Sequence, residues 1–368
     1  MYLKSIQSEG VLPIQTFSVD ELSDVVVLAG PNGVGKSRLI NSLISHLQNP
    51  TPVLTSTLII EATTKEELDA WGQRELNTSV PEDCTKLTAT LQSNRLRRNW
   101  KSSVLNFESN RTIQKIKPYA FSWDITDPDE ESIGWNFTFG GLQNRWQDTL
   151  HAILRKVEAR RKKIADKAEA LILAGEENME LNFKDPLAPF KEAFSQLLAP
   201  KILLDATAKE QDLFFESEGS RHSINALSSG EREVVNIVFD FLLRNPSDCI
   251  VFFDEPELHL HPELSYKLIQ TLRSVGERNQ FVFCTHSPDI ITASLDNTVV
   301  FISPVKSSEN NQAIIVKDDD ETNEALKLLG QSIGIISLGR KIVLVEGAKS
   351  SLDKQTYGVS NVSAYGTN

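Results

Sequence analysis

The sequence predicts an α/β fold, a mixed sheet flanked by helices, on three observations. The first is an apolar run, Val25-Val26-Val27-Leu28, followed by a glycine-rich turn and the amphipathic segment Leu39 to Ile44. The others are the runs Ile250-Val251-Phe252-Phe253 and Phe281-Val282-Phe283-Cys284, each closing in polar residues. Strands apolar on both faces belong inside a parallel sheet, and such sheets put ligands at the strands' C-terminal ends.

Composition sets the bounds. The chain has 368 residues, 40% apolar and 24% charged, the balance of a globular protein with a sizeable core. No apolar run approaches the ~20 residues that span a bilayer. Met1 to Ser5 lacks the apolar core of a secretory signal, so a cytoplasmic location without a membrane partner is expected. The net charge of −12 argues against a chain built mainly to coat nucleic acid. Two basic clusters run the other way: Arg95, Arg97, Arg98 and Lys101, then Arg160 to Lys163. Each reads as a solvated helix face or as a contact for nucleic acid or an acidic partner. Of three cysteines, Cys249 and Cys284 lie in or beside apolar runs and read as buried thiols.

In chain order, alternation in Tyr2–Ile6 and Ile14–Val19 predicts short strands leading to the buried strand at Val25–Leu28. Next comes Gly30-Pro31-Asn32-Gly33-Val34-Gly35-Lys36-Ser37-Arg38, with the GxxxxGK[ST] spacing of a phosphate-binding loop. A triphosphate must lie against bare backbone N–H groups at a helix N-terminus, which demands glycine. Lys36 would neutralise the β- and γ-phosphates, and the Ser37 hydroxyl would ligate Mg²⁺. The chain is therefore expected to bind a nucleoside triphosphate with Mg²⁺.

After Pro50 and Pro52, Leu58–Ala62 predicts a strand and Thr64 a helix start; residues 73–100 give no pattern. Val104–Phe107 predicts a strand whose polar sequel could offer a phosphate-sensing side chain, with Asn110, Arg111 and Gln114 as candidates. From Leu142 to Ala174, Trp146, Leu150, Ile153, Val157, Ile164 and Leu171 recur near every 3.5 residues without Pro or Gly. That predicts a helix of about 45–50 Å with a coiled-coil seam, and a second helix over 186–198. The seam serves either as core packing or as an exposed assembly arm.

Arg221 to Glu233 predicts a turn opening a helix over 234–243. The strand ending in Asp254-Glu255 delivers two adjacent carboxylates, which repel unless a cation or proton relieves them. Asp254 would hold Mg²⁺, and Glu255 would orient or deprotonate the attacking water. His286, closing the third apolar run, would sense the γ-phosphate. His259 and His261 lack a third ligand for a metal site.

The set Gly30–Ser37, Leu227-Ser228-Ser229-Gly230-Glu231, Asp254-Glu255 and His286 resembles the ATP-binding-cassette ATPases. Within them it is similar to the soluble branch of structural-maintenance and Rad50-type proteins and OLD nucleases. The segment Glu257 to Pro262 resembles OLD-like ATPases rather than transporters. The resemblance implies ATP as the nucleotide. It also implies a homodimer or higher homo-oligomer in which Ser228, Ser229, Gly230 and Glu231 contact the γ-phosphate held by the opposite subunit. Ser229 stands where many transporters have glycine. The segment Lys341 to Gly347 resembles the opening of a Toprim nuclease domain, with Glu346 at its acidic position. The later Asp-x-Asp strand is absent, so nuclease activity of this chain alone is not expected.

The expected organisation is an ATPase lobe over 1–140, a helical insertion over 141–200, a second ATPase lobe over 201–335, and a Toprim-like segment over 336–368. The resemblance further implies an ATPase that senses and scaffolds for a nuclease effector in bacterial anti-phage defence, as in PARIS, Gabija, Septu and retron systems. A Toprim or other nuclease would be its partner, and DNA or an acidic phage protein its trigger. The alternative is a DNA-repair clamp of Rad50 or RecF type. Salt-sensitive DNA binding by the chain would favour the clamp.

Overall fold

The computed structural model describes residues 1–52, 56–95, 101–109, 115, 142–175, 183–206, 212–287, 290–291, 294–304 and 311–316. Asn110, Arg111 and Gln114, the basic Arg97 and Arg98, and the Toprim-like strand with Glu346 lie outside the described residues.

The core is a six-stranded sheet in the order β13 (Ala313–Val316), β12 (Thr298–Ile302), β3 (Val25–Ala29), β11 (Gln280–Thr285), β10 (Ile250–Asp254), β6 (Val104–Phe107). Only the edge strand β13 runs antiparallel to its neighbour. Strands from residues 25–107 and from residues 250–316 share this one sheet. The mixed sheet flanked by helices is the α/β class expected.

Alternating side chains of the central strands feed two cores, as a strand's period of two requires. Val25, Val27, Val251, Phe253, Phe281 and Phe283 face one, and Val26, Leu28, Ile250, Phe252, Val282 and Cys284 face the other. The second core is closed by α1 (Lys36–Gln48) and by an antiparallel sheet. That sheet has the order β2 (Thr16–Val19), β1 (Tyr2–Glu9), β4 (Ser56–Glu61), β5 (Glu75–Asn77). The helix start at Thr64 is a capping box with Glu67, opening α2 (Lys65–Trp71). The patternless stretch holds β5 and α3 (Pro81–Arg95).

The first core is closed by α4 (Leu142–Leu173), α5 (Ala188–Leu198), α6 (Ser229–Arg244) and α7 (Pro262–Ser274). Here the coiled-coil expectation divides. Leu150, Ile153, Leu154 and Val157 of α4 are buried in the same core as the sheet, because α6 offers them an apolar face. Ile172 and Leu173, at the far end, are 63% and 82% exposed. The seam is core packing first and a projecting end second. A small sheet, β7 (Ile202–Leu203), β8 (Phe214–Ser217) and β9 (Ser220–Ser223), leads into α6. Cys84, Cys249 and Cys284 are buried and form no disulfide among the described residues, and no described helix is long and apolar enough to cross a membrane.

The α6 helix is anchored by charge as well as by grease. Arg244 Nε donates to Asp240 Oδ1 at 2.8 Å, and Thr149 Oγ1 of α4 donates to the same oxygen at 2.9 Å. Both charged side chains are out of solvent (0% and 1% exposed). A buried pair of this kind fixes register, since breaking it strands an ion in the core.

Candidate functional site

Register brings the site together. In the parallel ladder Asp254 lies opposite Cys284, Cys284 opposite Leu28, and Thr285 opposite Ala29. The strands β10, β11 and β3 therefore end level. The residues that follow, Glu255, His286 and Gly30, leave the same sheet edge side by side, roughly 5 Å apart from strand to strand.

The loop after β3 wraps the N-terminus of α1. Gly35 is the residue before the helix, at φ 108, a left-handed value that L side chains avoid. A Cβ there would come within 2.9 Å of Pro13 Cδ, so both conformation and space require glycine. At Gly30 a Cβ would lie 3.0 Å from the Ile302 carbonyl. The glycines thus leave bare backbone facing a cleft of about 510 Å³, in the range of ligand pockets. It is lined by Pro13, Asn32, Gly33, Gly35, Lys36, Ser37, Arg38 and Glu255. Val34 is buried behind it, and Arg38 Nη1 donates to the Leu12 carbonyl at 3.0 Å. Lys36 Nζ curls onto the loop, donating to the carbonyls of Gly30 (2.9 Å) and Pro31 (3.1 Å).

Ser37 Oγ donates to Asp254 Oδ1 at 3.0 Å across 217 positions of sequence. A hydroxyl and a carboxylate sharing one point beside a phosphate cradle are the oxygen donors that Mg²⁺ takes, so the residues present fit that ion. Glu255 extends the β10–β11 ladder by one bond, its N–H donating to the Cys284 carbonyl at 2.8 Å. It then turns at φ 49, a left-handed value costing about 1 kcal/mol or more for a residue with a Cβ. That turn puts Glu255 on the wall of the cleft. Beneath it, burial and then the neighbouring Asp254 push the Cys284 thiol well above its ordinary range, which keeps it neutral.

His286 emerges at the same edge but is held by a residue not singled out from the sequence. Its Nδ1 lies 3.2 Å from Glu257 Oε1, and its side chain is 45% exposed. The same oxygen accepts from Thr285 Oγ1 (2.6 Å), the His286 N–H (2.9 Å) and the Ser287 N–H (3.1 Å). Glu257 is therefore the hub that aims this turn, and His286 is not among the residues lining the cleft. The signal was a third acidic residue two positions after Glu255. For the ATP hydrolysis expected from the sequence, Glu257→Ala should lower kcat about tenfold with a small change in KM, since it loosens the histidine without touching the cradle. Steady-state kinetics measure the split.

The remaining candidates stand apart. Ser228 caps α6, its Oγ accepting from the Glu231 N–H at 3.4 Å while Glu231 Oε2 accepts from the Ser228 N–H at 3.1 Å. Ser229 and Gly230 form the first turn, where N–H groups favour anions. Burial raises the Glu231 carboxyl, but Lys201 Nζ at 2.5 Å and the Ser228 bonds outweigh it and hold the group below the usual carboxylate range. A depressed carboxylate stabilises above its ordinary pKa and stops as pH falls through the lowered one, so the cap is intact at neutral pH. Ser228 and Ser229 are exposed, and Gly230 packs toward the His259 carbonyl, 3.1 Å from where a Cβ would sit. None of the four lines the cleft of its own chain.

The family model described as "AAA domain, putative AbiEii toxin, Type IV TA system" matches residues 25–292. "Retron Vc95 probable ATPase" from Vibrio cholerae serotype O1 biovar El Tor is 33% identical over 103 residues, 25% of this chain and 20% of that protein. "Septu protein PtuA" from Bacillus mycoides (strain KBAB4) is 24% identical over 119 residues, 30% of this chain and 17% of that protein. The chain thus spans about a fifth of the length of the curated relatives it matches. Among solved structures, an Smc head bound to the C-winged helix domain of ScpA aligns over 86% of this chain and 98% of its own. Its TM-score is 0.49 at 10% identity. An SMC head domain from Thermotoga maritima gives a TM-score of 0.44 at 14% identity, over 86% of this chain and 99% of its own.

Proposed function

The chain belongs to the AAA-domain family of AbiEii type, and from that premise we propose that it binds and hydrolyses ATP to control a nuclease effector in bacterial anti-phage defence. The observation that carries the ATPase reading is the 3.0 Å contact between Ser37 Oγ and Asp254 Oδ1 on one wall of the cleft, with Glu255 on the same cleft.

The chemistry follows from the donors. The triphosphate lies along the backbone of residues 30–37, and Lys36 leaves the Gly30 and Pro31 carbonyls to meet the β- and γ-phosphates. Ser37 and Asp254 would hold Mg²⁺, whose charge offsets that developing on the phosphoryl oxygens. Glu255 accepts the proton of the attacking water, and Glu257 holds His286 and the turn after β11 beside it. The α6 N-terminus, exposed and off the cleft of its own chain, supports a head-to-tail homodimer in which Ser228 to Gly230 of one copy close over the nucleotide of the other. Of the helical insertion, the exposed end of α4 with Ile172 and Leu173 is the further assembly surface.

The defence reading rests on the named relatives, a retron ATPase and a Septu protein, and on the family described as AbiEii-type. Two measurements test it. The purified chain is expected to release phosphate from ATP with Mg²⁺ and to stop when the metal is chelated; turnover unaffected by chelation would count against the Ser37–Asp254 site. A nuclease encoded beside the gene should co-purify with the chain, and the pair should reduce phage plaques. Protection by that nuclease without this chain would contradict its control by the ATPase.

A further inference from the structure

A second pocket lies far along the chain from the cleft and shares no residue with it. It occupies about 360 Å³ where the first turns of α5 meet the middle of α4 and the end of α6. Lys156, Arg160 and Lys163 line it from α4, and Lys184 from the segment before α5. The spacings of four and three put the α4 cations on one face of the helix. The basic run noted in the sequence is thereby divided. Arg161 turns away to Glu158 and the Ala206 carbonyl, while Arg160 and Lys163 border the pocket.

The lining is not only charged. Phe183, whose ring has Lys167 Nζ 5.5 Å from its centroid, and Pro189 supply apolar surface. Arg160 Nη2 donates to the Phe183 carbonyl at 3.1 Å, which ties the guanidinium to the segment before α5, and Arg160 Nε is buried with no hydrogen-bond partner among the described residues. The one carboxylate of the lining is engaged elsewhere: Asp185 accepts from the Leu187 N–H and from Lys191 Nζ, both at 3.0 Å. Burial raises that carboxyl, but these donors and then the charge of Arg160 outweigh it and hold it below the usual carboxylate range, so it stays charged and offsets part of the Arg160 charge. Concave apolar surface ringed by cations suits a ligand with a flat ring and an anionic group.

We propose that this pocket binds a nucleotide through its base and its sugar-borne phosphate, either a free nucleoside monophosphate or the 5′-phosphorylated end of a single-stranded nucleic acid. The base would lie on the Phe183–Pro189 surface, and the phosphate would meet Arg160, Lys163 and Lys184. A duplex is too wide for a cavity of this size, and the net charge of −12 disfavours long polyanions elsewhere on the chain.

The test titrates the full chain with a fluorescent AMP analogue while ATP and Mg²⁺ saturate the phosphate-binding loop. A monophosphate lacks the β- and γ-groups that the loop grips, so the two sites are read separately. Binding is expected, and Lys163→Ala with Lys184→Ala, both at exposed positions, should weaken it at least about tenfold at unchanged melting temperature. Lys162→Ala, an exposed lysine outside the lining, should leave it unchanged. Phe183→Ala should weaken the AMP analogue but not inorganic phosphate. A 5′-phosphorylated oligothymidylate that displaces the analogue more tightly than AMP identifies the nucleic-acid end as the source; the reverse order identifies the free nucleotide. No binding at millimolar AMP, equal binding by inorganic phosphate, or equal loss in Lys162→Ala would overturn the proposal.

Discussion

Replacing Glu255 by glutamine is expected to cut the turnover of ATP by about 10²–10⁴-fold while leaving ATP affinity within a few-fold of the parent. The reason is positional. Glu255 sits on the cleft wall at a left-handed φ of 49, a conformation a side chain adopts at a cost, and glutamine fits the same space. What changes is the ability to take a proton. The cradle, formed by Gly30 to Ser37, and the Ser37–Asp254 contact are untouched, so binding persists. Single-turnover phosphate release alongside an ATP-analogue titration separates the two effects. A variant that hydrolyses at the parental rate would remove Glu255 from the chemistry.

Lys36→Ala is expected to act on the other half of the problem. The ammonium makes two bonds to loop carbonyls here and would exchange them for bonds to phosphate oxygens. Charge-assisted hydrogen bonds are worth about 1.5–3 kcal/mol each, so losing two should weaken ATP by roughly 10²-fold or more. The loop carbonyls of Gly30 and Pro31 also lose their donor, so a small fall in melting temperature should accompany the change. Fluorescent-nucleotide titration measures the affinity. Unaltered affinity would mean that the triphosphate does not lie along residues 30–37.

The parts of this protein legible from sequence are those whose cause is local. Val25–Ala29, Ile250–Asp254 and Gln280–Thr285 announce themselves because both faces of a central strand are apolar. The loop at 30–37 is fixed by glycine chemistry within eight residues, and the Thr64–Glu67 box marks its helix without help from the rest of the chain. Helix α6 begins at Ser229, five positions before the start inferred from apolar periodicity. Ser228 and Glu231 are spaced as a capping box, a signal read there only as a nucleotide motif. Helix α3 was missed although Pro81, Glu82 and Asp83 are a helix opening and Cys84, Leu87 and Leu91 form its buried stripe. Few apolar residues over fifteen positions make a weak stripe.

Nonlocal pairing was the harder part. Nothing in Glu75–Asn77 shows that three residues will close an antiparallel sheet against β4. The α4 stripe is identical in sequence whether a partner helix or the domain core covers it, and α6 decided that question for Leu150 to Val157. Glu257 was overlooked because its four contacts come from Thr285, His286 and Ser287, which only the adjacency of β10 and β11 brings within reach.

If one copy's α6 N-terminus completes the nucleotide cleft of another, as proposed, light scattering on Glu255→Gln will show it. With ATP and Mg²⁺ the mass should rise to at least twice that of the nucleotide-free protein, and adding Ser228→Arg, which fills the exposed helix start without entering its own cleft, should return it to the nucleotide-free value. A mass that ignores ATP, or a rise that survives Ser228→Arg, would contradict the account.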